Sequence, residues 1–565
     1  MKKFLIVFLC IAMMLSSLSV VSIAEVTGNT VTDWLHDTVY GLDINIGTYP
    51  NVGSINYKTD SYDVQVTKAN DYADGLVESA KEAGAGFLMV SIGQNGGTYL
   101  APSAVYNEIT GYAPGEKTPD PDSTKAVDFL MVLGQKLKDN GMKMMFYVPS
   151  NPPEDDQVAR AAFGYEGSGN SVTNATTIEK WGKVIADWGT HYGDLLAGFW
   201  FDGVSKADPY LTGEIDGKLP IEYYKECVKT GYADRIFCMN TGPVKPGKEI
   251  RKAFDQEDYC AGEADELKYV PSSRWVTHSV TGQDDSIGIQ WCLYGYLGLA
   301  WNSKILDYSE QYVVDYINSV AKGGGALILN VGVEDGKIAS DFVEVLKKAR
   351  AVLNGESNEV YTFLNNKELE EETYVTSTSE IQKITDINEG FWNSSYTLYN
   401  KFSGIMYDGV YTVDDDSEIS VYFNGTGVSW IGKKMYQLGT VDVYVDEFYR
   451  ATVDCSAFED EDEHNVYLFE ETGLTAGTHK LTLALRSGAQ LFIDAIGVQD
   501  YEPATKEQAE KLEASWVKQS KSNKDSNKKS PITGVVFPIA IAIVCVIAAG
   551  FVIVMNANKK RRCEK

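Results

Sequence analysis

The chain has 565 residues, 44% apolar and 23% charged, and a net charge of −29 at neutral pH. This composition belongs to a folded protein and not to a disordered one. The acidic balance argues against nucleic acid as a partner and against adhesion of the folded body to anionic lipid. Five histidines, with neither an HExxH nor a CxxC motif, argue against histidine-rich zinc chemistry.

Residues 1–24 start with Lys2-Lys3, run apolar from Phe4 to Leu18 and end in Ser22-Ile23-Ala24, the pattern of a secretory signal peptide. From Val39 onward, short apolar runs alternate with amphipathic stretches. Strands are expected at Val39–Ile46, Phe87–Ile92, Met144–Val148, Leu196–Phe201, Ile236–Met239 and Ala326–Val331. Helices are expected at Tyr72–Ala83, Val127–Asp139, Ile178–His191, Tyr223–Thr230, Glu310–Ala321 and Ser340–Leu353. Such alternation predicts an α/β domain over 25–356, a (β/α)8 TIM-like barrel. A doubly wound open sheet remains the alternative, because periodicity does not separate the two.

Past a connector at 357–400, residues 401–501 change character. Runs at Ile419–Phe423, Thr440–Val445 and Lys480–Leu485, with turn signals at Asn424-Gly425 and Ala476-Gly477, predict an all-β, jelly-roll-like sandwich. The Ser/Lys/Asn-rich stretch within 502–534 reads as a stalk. Val535–Met555 is an uncharged apolar run long enough to span a bilayer as one transmembrane helix, and 556–565 form a basic tail. Lysines flank the span on both sides, so the positive-inside count is balanced and the signal decides the orientation: body outside at the cell surface, tail in the cytoplasm. The basic residues gather at the ends, leaving the exported body more acidic than the whole chain. Five cysteines fall in that body (Cys227, Cys238, Cys260, Cys292 and Cys455), an odd and irregular set that does not make a disulfide scaffold.

Generic chemical motifs are sparse. There is no GxSxG elbow, no Walker loop and no GxGxxG after a strand, and no cofactor or metal is expected. Acidic clusters at Asp414–Asp416 and Asp460–Glu463 lack EF-hand spacing and read as solvated surface. The strongest local signal is Phe199-Trp200-Phe201-Asp202-Gly203, three aromatics ending a strand with a carboxylate at its C-terminal tip. In a barrel that tip faces the active site, and aromatic faces beside a carboxylate suit a sugar ring. Asp202 as a simple helix cap is the competing reading.

That pentapeptide resembles the W-F-D-G nucleophile pattern of the retaining α-L-fucosidases, glycoside hydrolase family 29. Ser319–Gly332 is similar to the family's V-S-K-G-G-N-L-L-L-N-V-G run, with Asp335-Gly336-Lys337-Ile338 like its D-G-T-I and Asn354-Gly355-Glu356 like its N-G-E. Tyr40–Gly47 and Lys81-Glu82-Ala83-Gly84-Ala85 match its first strand and its K-E-A-G-A. The resemblance implies a barrel with Asp202 as nucleophile. It also shows departures. Asn45-Ile46 stand where the family has His-Trp, and Gln94-Asn95 where it has paired histidines that bond fucose hydroxyls. Amides still donate and accept hydrogen bonds, so Asn45, Gln94 and Asn95 are candidate sugar contacts, and the sugar need not be fucose.

Retention needs a second carboxyl near the nucleophile. The family's W-E-type position falls near Trp291-Cys292, where no carboxylate stands. Glu263, after an apparent sixth strand around Tyr259, is the candidate acid/base, and Glu266 is the alternative; a surface salt-bridge role is equally open for either. Tyr147, Trp200, Trp291 and Trp301 are candidate subsite walls that can equally be core. Phe423–Gly432 and Phe492–Ala495 resemble accessory jelly-roll modules of bacterial secreted glycosidases, which bind carbohydrate or support the barrel. Taken together, an exported, membrane-anchored retaining exo-glycosidase acting on glycans is expected. The alternative is a non-catalytic glycan-binding surface protein on the same barrel, favoured by Gln94-Asn95 and Cys292.

Overall fold

The computed structural model describes residues 27–516 apart from 166–173, 205, 245–248, 265–266, 268, 282–285, 358–359, 364–374, 378–381, 384–409, 413–417, 436–437, 458–462, 488–489, 494, 503 and 506. The expected signal peptide, the expected transmembrane segment 535–555 and tail, most of the expected connector and stalk, and Glu266 therefore lie outside the described residues. Among the described residues no helix is long and apolar enough to cross a membrane. The chain divides into two units, Met1–Ala509 and Glu510–Lys565. In the second, the described residues 510–516 are helical.

Seven parallel strands make the central sheet of the first unit: β1 Tyr40–Ile44, β2 Phe87–Ser91, β3 Lys143–Pro149, β4 Leu196–Asp202, β5 Ile236–Met239, β6 Cys292–Tyr296 and β7 Ala326–Asn330. Their spatial order runs β6-β7-β1-β2-β3-β4-β5. The two edge strands are joined by the segment around Tyr259. Asp258 N donates to Phe237 O of β5 at 3.0 Å, while Cys260 N donates to Gln290 O at 3.0 Å and Ala264 N to Tyr294 O at 2.8 Å. The sheet is thus a TIM-like ring whose sixth position is irregular. Gly262 explains the irregularity: it sits at φ +56°, and a Cβ there would lie 2.0 Å from Cys292 O. Only glycine tolerates that left-handed conformation and close approach together.

Helices α1 Tyr62–Glu82, α2 Phe129–Asp139, α3 Ala175–Tyr192, α4 Pro220–Lys229, α5 Glu310–Lys322 and α6 Ser340–Leu353 follow β1, β2, β3, β4, β6 and β7. The first begins ten residues before its expected start, because its first turns are polar and carry little apolar periodicity. Starts are set by side-chain caps, Asp128 accepting from Met131 N at 3.0 Å and Asn174 from Thr177 N at 2.9 Å. Among the described residues no helix stands between β5 and the sixth position. There Glu257 holds the connection, accepting from Met239 N at 2.5 Å, Ala253 N at 2.6 Å and Phe254 N at 2.7 Å.

The C-terminal region is β-rich. Its main sheet contains β8 Thr362–Phe363, β9 Glu418–Lys434, β10 Thr440–Val445, β11 Phe448–Asp454, β12 Glu463–Leu485 and β13 Ala495–Gln499, with antiparallel pairing throughout. The expected turns at Asn424-Gly425 and Ala476-Gly477 are not turns: Gly425 pairs with Gly477 in the middle of two long strands. The physical reason is close approach, since a Cβ at Gly425 would meet Gln499 O of β13 at 2.5 Å. Trp430 is fully buried in this region's core, and the five body cysteines are buried and unpaired.

Candidate active site

Strand β4 reads LAGFWFD, buried until its last residue. Alternation sorts its aromatics. Phe199 and Phe201 stack on each other at 5.1 Å and meet Phe146, Tyr224 and Phe237. Each such buried ring contributes on the order of 2 kcal/mol to holding the strand. Trp200 and Asp202 point the other way, into the ring. Gly203 follows at φ +78°, a left-handed turn that ends the strand and brings its own N–H back to Asp202 Oδ1 at 2.8 Å.

Two further groups fix Asp202. Tyr147 OH, on β3, donates to Oδ2 at 2.5 Å, and burial together with the neighbouring Asp202 pushes the phenol far above its ordinary range, so it stays a donor. Asn240, the residue after β5, donates from Nδ2 to Asp202 Oδ1 at 2.8 Å and from the same nitrogen to Glu263 Oε2 at 2.7 Å. Its backbone is pinned to β4 on both sides, N–H to Phe201 O at 2.7 Å and C=O from Val204 N at 2.8 Å. One amide nitrogen bonded to both carboxylates keeps their near oxygens no more than about 5.5 Å apart, an upper bound compatible with two carboxyl groups acting on one anomeric carbon.

Glu263 lines, and Asp202 borders through its bonds to Tyr147 and Asn240, a cavity of about 240 Å³ at the C-terminal mouth of the ring, walled by Asp43, Asn45, Ser91, Gln94, Tyr147, Trp200, Glu263, Tyr294, Trp301, Asn302 and Asn330. Its aromatic side is continuous: Tyr147 stacks on Trp200 at 5.2 Å, Trp200 meets Tyr294 at 4.7 Å, and Tyr294 meets Trp301 at 4.7 Å. The floor is Asp43, 1% exposed, whose Oδ2 accepts from Tyr294 OH at 2.7 Å and Asn330 Nδ2 at 2.6 Å. Burial pushes its carboxyl up to about 6 against the pull of those two donors.

Of the residues singled out from sequence, the structure brings together Asp202, Glu263, Asn45, Gln94, Tyr147, Trp200 and Trp301. Two are elsewhere. Asn95 is absent from the wall, its backbone carbonyl accepting from Asp155 N at 3.0 Å. Trp291 precedes β6 and packs beneath Gly325 at the entry to β7, the opposite end of the ring, because Cys292 pairs with the first residue of β7 and not its last. The family's W-E-type position, placed there by the resemblance, is therefore remote from the cavity. Missed from sequence were Asp43, Asn240, Tyr294 and Asn330. Asp43 had a visible signal, a lone carboxylate inside the apolar run Tyr40–Ile46. Asn240 had none, since its role arises from a loop lying against a different strand.

No protein-family model matches the chain. A curated relative, an A type blood alpha-D-galactosamine galactosaminidase from Flavonifractor plautii, is 34% identical over 97 residues, 17% of this chain and 8% of that protein. Among solved structures, an endo-fucoidan hydrolase of glycoside hydrolase family 107 aligns with 59% of this chain and 55% of its own at a TM-score of 0.43 and 10% identity. A Ruminococcus gnavus GH29 fucosidase in complex with fucose aligns over 85% of this chain and 96% of its own, with a TM-score of 0.38 and 13% identity.

Proposed function

We propose that this protein is a retaining glycoside hydrolase that removes a terminal sugar, α-L-fucose or a stereochemical relative, from glycans outside the cell, held at the surface by its C-terminal segment. The observation that carries the reading is the single Asn240 amide joining Asp202 and Glu263 at the edge of an aromatic-walled, polar-floored cavity. The W-F-D-G resemblance points to the same Asp202, and the reaction class named for the curated relative agrees with it.

The chemistry follows from the contacts. A sugar ring lies with its C–H face on Trp200 and Tyr294 and its hydroxyls toward Asp43, Asn45, Gln94 and Asn330. Asp202 attacks the anomeric carbon while Glu263 gives its proton to the departing oxygen, forming a glycosyl ester on Asp202 and a free alcohol. Glu263, now ionised, takes a proton from water as that water attacks the same carbon, which restores both carboxyl groups. Tyr147, Gly203 and Asn240 orient the nucleophile throughout.

The test is a panel of aryl α-fucosides, α-galactosides and α-galactosaminides with wild type, Asp202→Asn and Glu263→Gln, with the anomer of the first-formed product read by NMR. The expected result is one cleaved sugar, retained configuration, and losses of roughly 10²–10⁴-fold for Glu263→Gln and at least as much for Asp202→Asn. A wild type as inert as the variants across the panel, or an inverted product, overturns the proposal.

A further inference from the structure

A second cavity of about 210 Å³ adjoins the first. Its wall includes Asn240, the residue that touches both carboxylates, and Ala261 and Gly262, which lead directly into Glu263. Val244, also in that wall, donates its N–H to Glu263 O at 2.7 Å, so the acid/base is built into the partition between the two spaces. Among the described residues of its wall, Glu249 and Arg251 are charged, both are exposed, and neither is bonded to any described residue.

An acid that protonates a leaving oxygen must lie on the leaving-group side of the sugar. On the reading proposed above, a group departs on the Glu263 side, where this second cavity lies next to Asn240 and Gly262. It is close in volume to the first, and so offers room for a further ring. It also presents a five-donor guanidinium and a carboxylate acceptor in the same wall, which together match the mixed donors and acceptors of vicinal hydroxyls better than they match an alkyl or aryl group or a lone anion. We infer that the cavity at Asn240, Glu249 and Arg251 is a leaving-group subsite for a second sugar, so that the natural substrate is a di- or oligosaccharide. Arg251 and Glu249 are its specificity-determining residues.

The experiment compares two substrates of whichever sugar the aryl panel selects: its glycosyl fluoride, which has no leaving ring, and its disaccharide with galactose as the leaving unit. The readout is the ratio of kcat/KM for disaccharide over fluoride. Arg251→Ala and Glu249→Ala each lower that ratio roughly 10-fold, about the discrimination expected when a hydrogen-bonding partner of a substrate hydroxyl is lost, and Arg251→Lys recovers part of it. Free galactose inhibits wild type competitively and inhibits Arg251→Ala more weakly. If wild type cleaves the fluoride and the ratio is the same in all four proteins, the subsite is refuted while the catalytic assignment stands. If wild type cleaves neither substrate, both fall.

Discussion

At the mouth of the barrel, Asp202 and Glu263 share one side-chain amide, and Glu263 and Asp202's partner Tyr147 line a cavity. At the seam where α5 meets the β-rich region, Asp315 is fully buried with its oxygens already taken: Gln311 Nε2 at 2.8 Å and Tyr361 N at 2.9 Å on Oδ1, and Tyr467 OH at 2.5 Å on Oδ2. Glu257 resembles the seam and not the mouth, all three of its bonds coming from backbone N–H groups. The contrast separates chemistry from scaffold. Asp202 also accepts three hydrogen bonds, from Tyr147, Gly203 and Asn240, so the difference is one of access and not of bond count. A carboxylate closed in by scaffold offers a substrate nothing, however buried it is, whereas one beside open space can meet it.

Gly262→Ala carries the largest expected effect, because it strikes the element that turns Glu263 toward the cavity. A methyl group 2.0 Å from Cys292 O must displace one strand from the other. We expect a loss of about 2–4 kcal/mol in stability and, since a 1 Å misplacement costs about 100-fold, at least that loss in kcat/KM. Denaturant melts paired with the aryl assay check this. Normal activity in the variant would mean that Gly262 does not aim the acid/base.

The seam gives the next effect, and it is one of pH. Burial pushes the Asp315 carboxyl up to about 7, above the usual value near 4. Between these values the folded protein holds a proton that the unfolded chain has released. The stability from this group is therefore complete below about pH 4 and is lost as pH rises through about 7, a slope amounting to a few kcal/mol. Asp315→Asn removes that slope while keeping the carbonyl acceptor for Tyr361 N. Urea unfolding from pH 4.5 to 8 tests it, and an unchanged slope in the variant would reassign the titration. Activity of the folded fraction should stay at the wild-type level, which is what sets the seam apart from the mouth.

Asn240→Ala should do the converse. The side chain is 2% exposed but packs against polar groups, so its removal costs little structure and frees both carboxylates. A fall of about 10–100-fold in kcat/KM, equal to about 1.4–2.7 kcal/mol of barrier, is expected with a shifted pH–rate profile. A purely structural role would lower the melting temperature and leave that profile in place.

Most of the barrel was legible because its strands are short, wholly apolar runs and its helices carry caps and closing glycines; the strand at 196–202 and the helix at 340–353 were readable to within a residue or so. The sixth position was faint for a physical reason: a glycine in the left-handed region breaks the period that marks a strand. The β-rich region misled at Gly425, where glycine meant close approach between strands and not a turn, and at Gly477, which pairs with Gly425 beside a register shift. Asp202, the nucleophile proposed above, was visible as a charge ending an aromatic strand. Asn240 was invisible, because nothing in a sequence says which loop amide will lie between two carboxylates.

The smallest effect tests the seam most finely. Tyr467 on β12 donates to Asp315 Oδ2, and that bond favours the ionised carboxylate and so pulls the titration down against burial. Tyr467→Phe removes the donor and leaves the ring in place. The cost is about 1 kcal/mol, the usual net worth of one hydrogen bond, and it falls mainly on the ionised form. The loss should therefore be small at pH 5, where Asp315 is protonated and can itself donate, and larger at pH 8. The midpoint of the stability slope should move to higher pH than in wild type. An equal loss at both pH values would show that the phenol binds the seam without sensing the charge, and the distinction between an enclosed carboxylate and an accessible one would then rest on Asp202 and Glu263 alone.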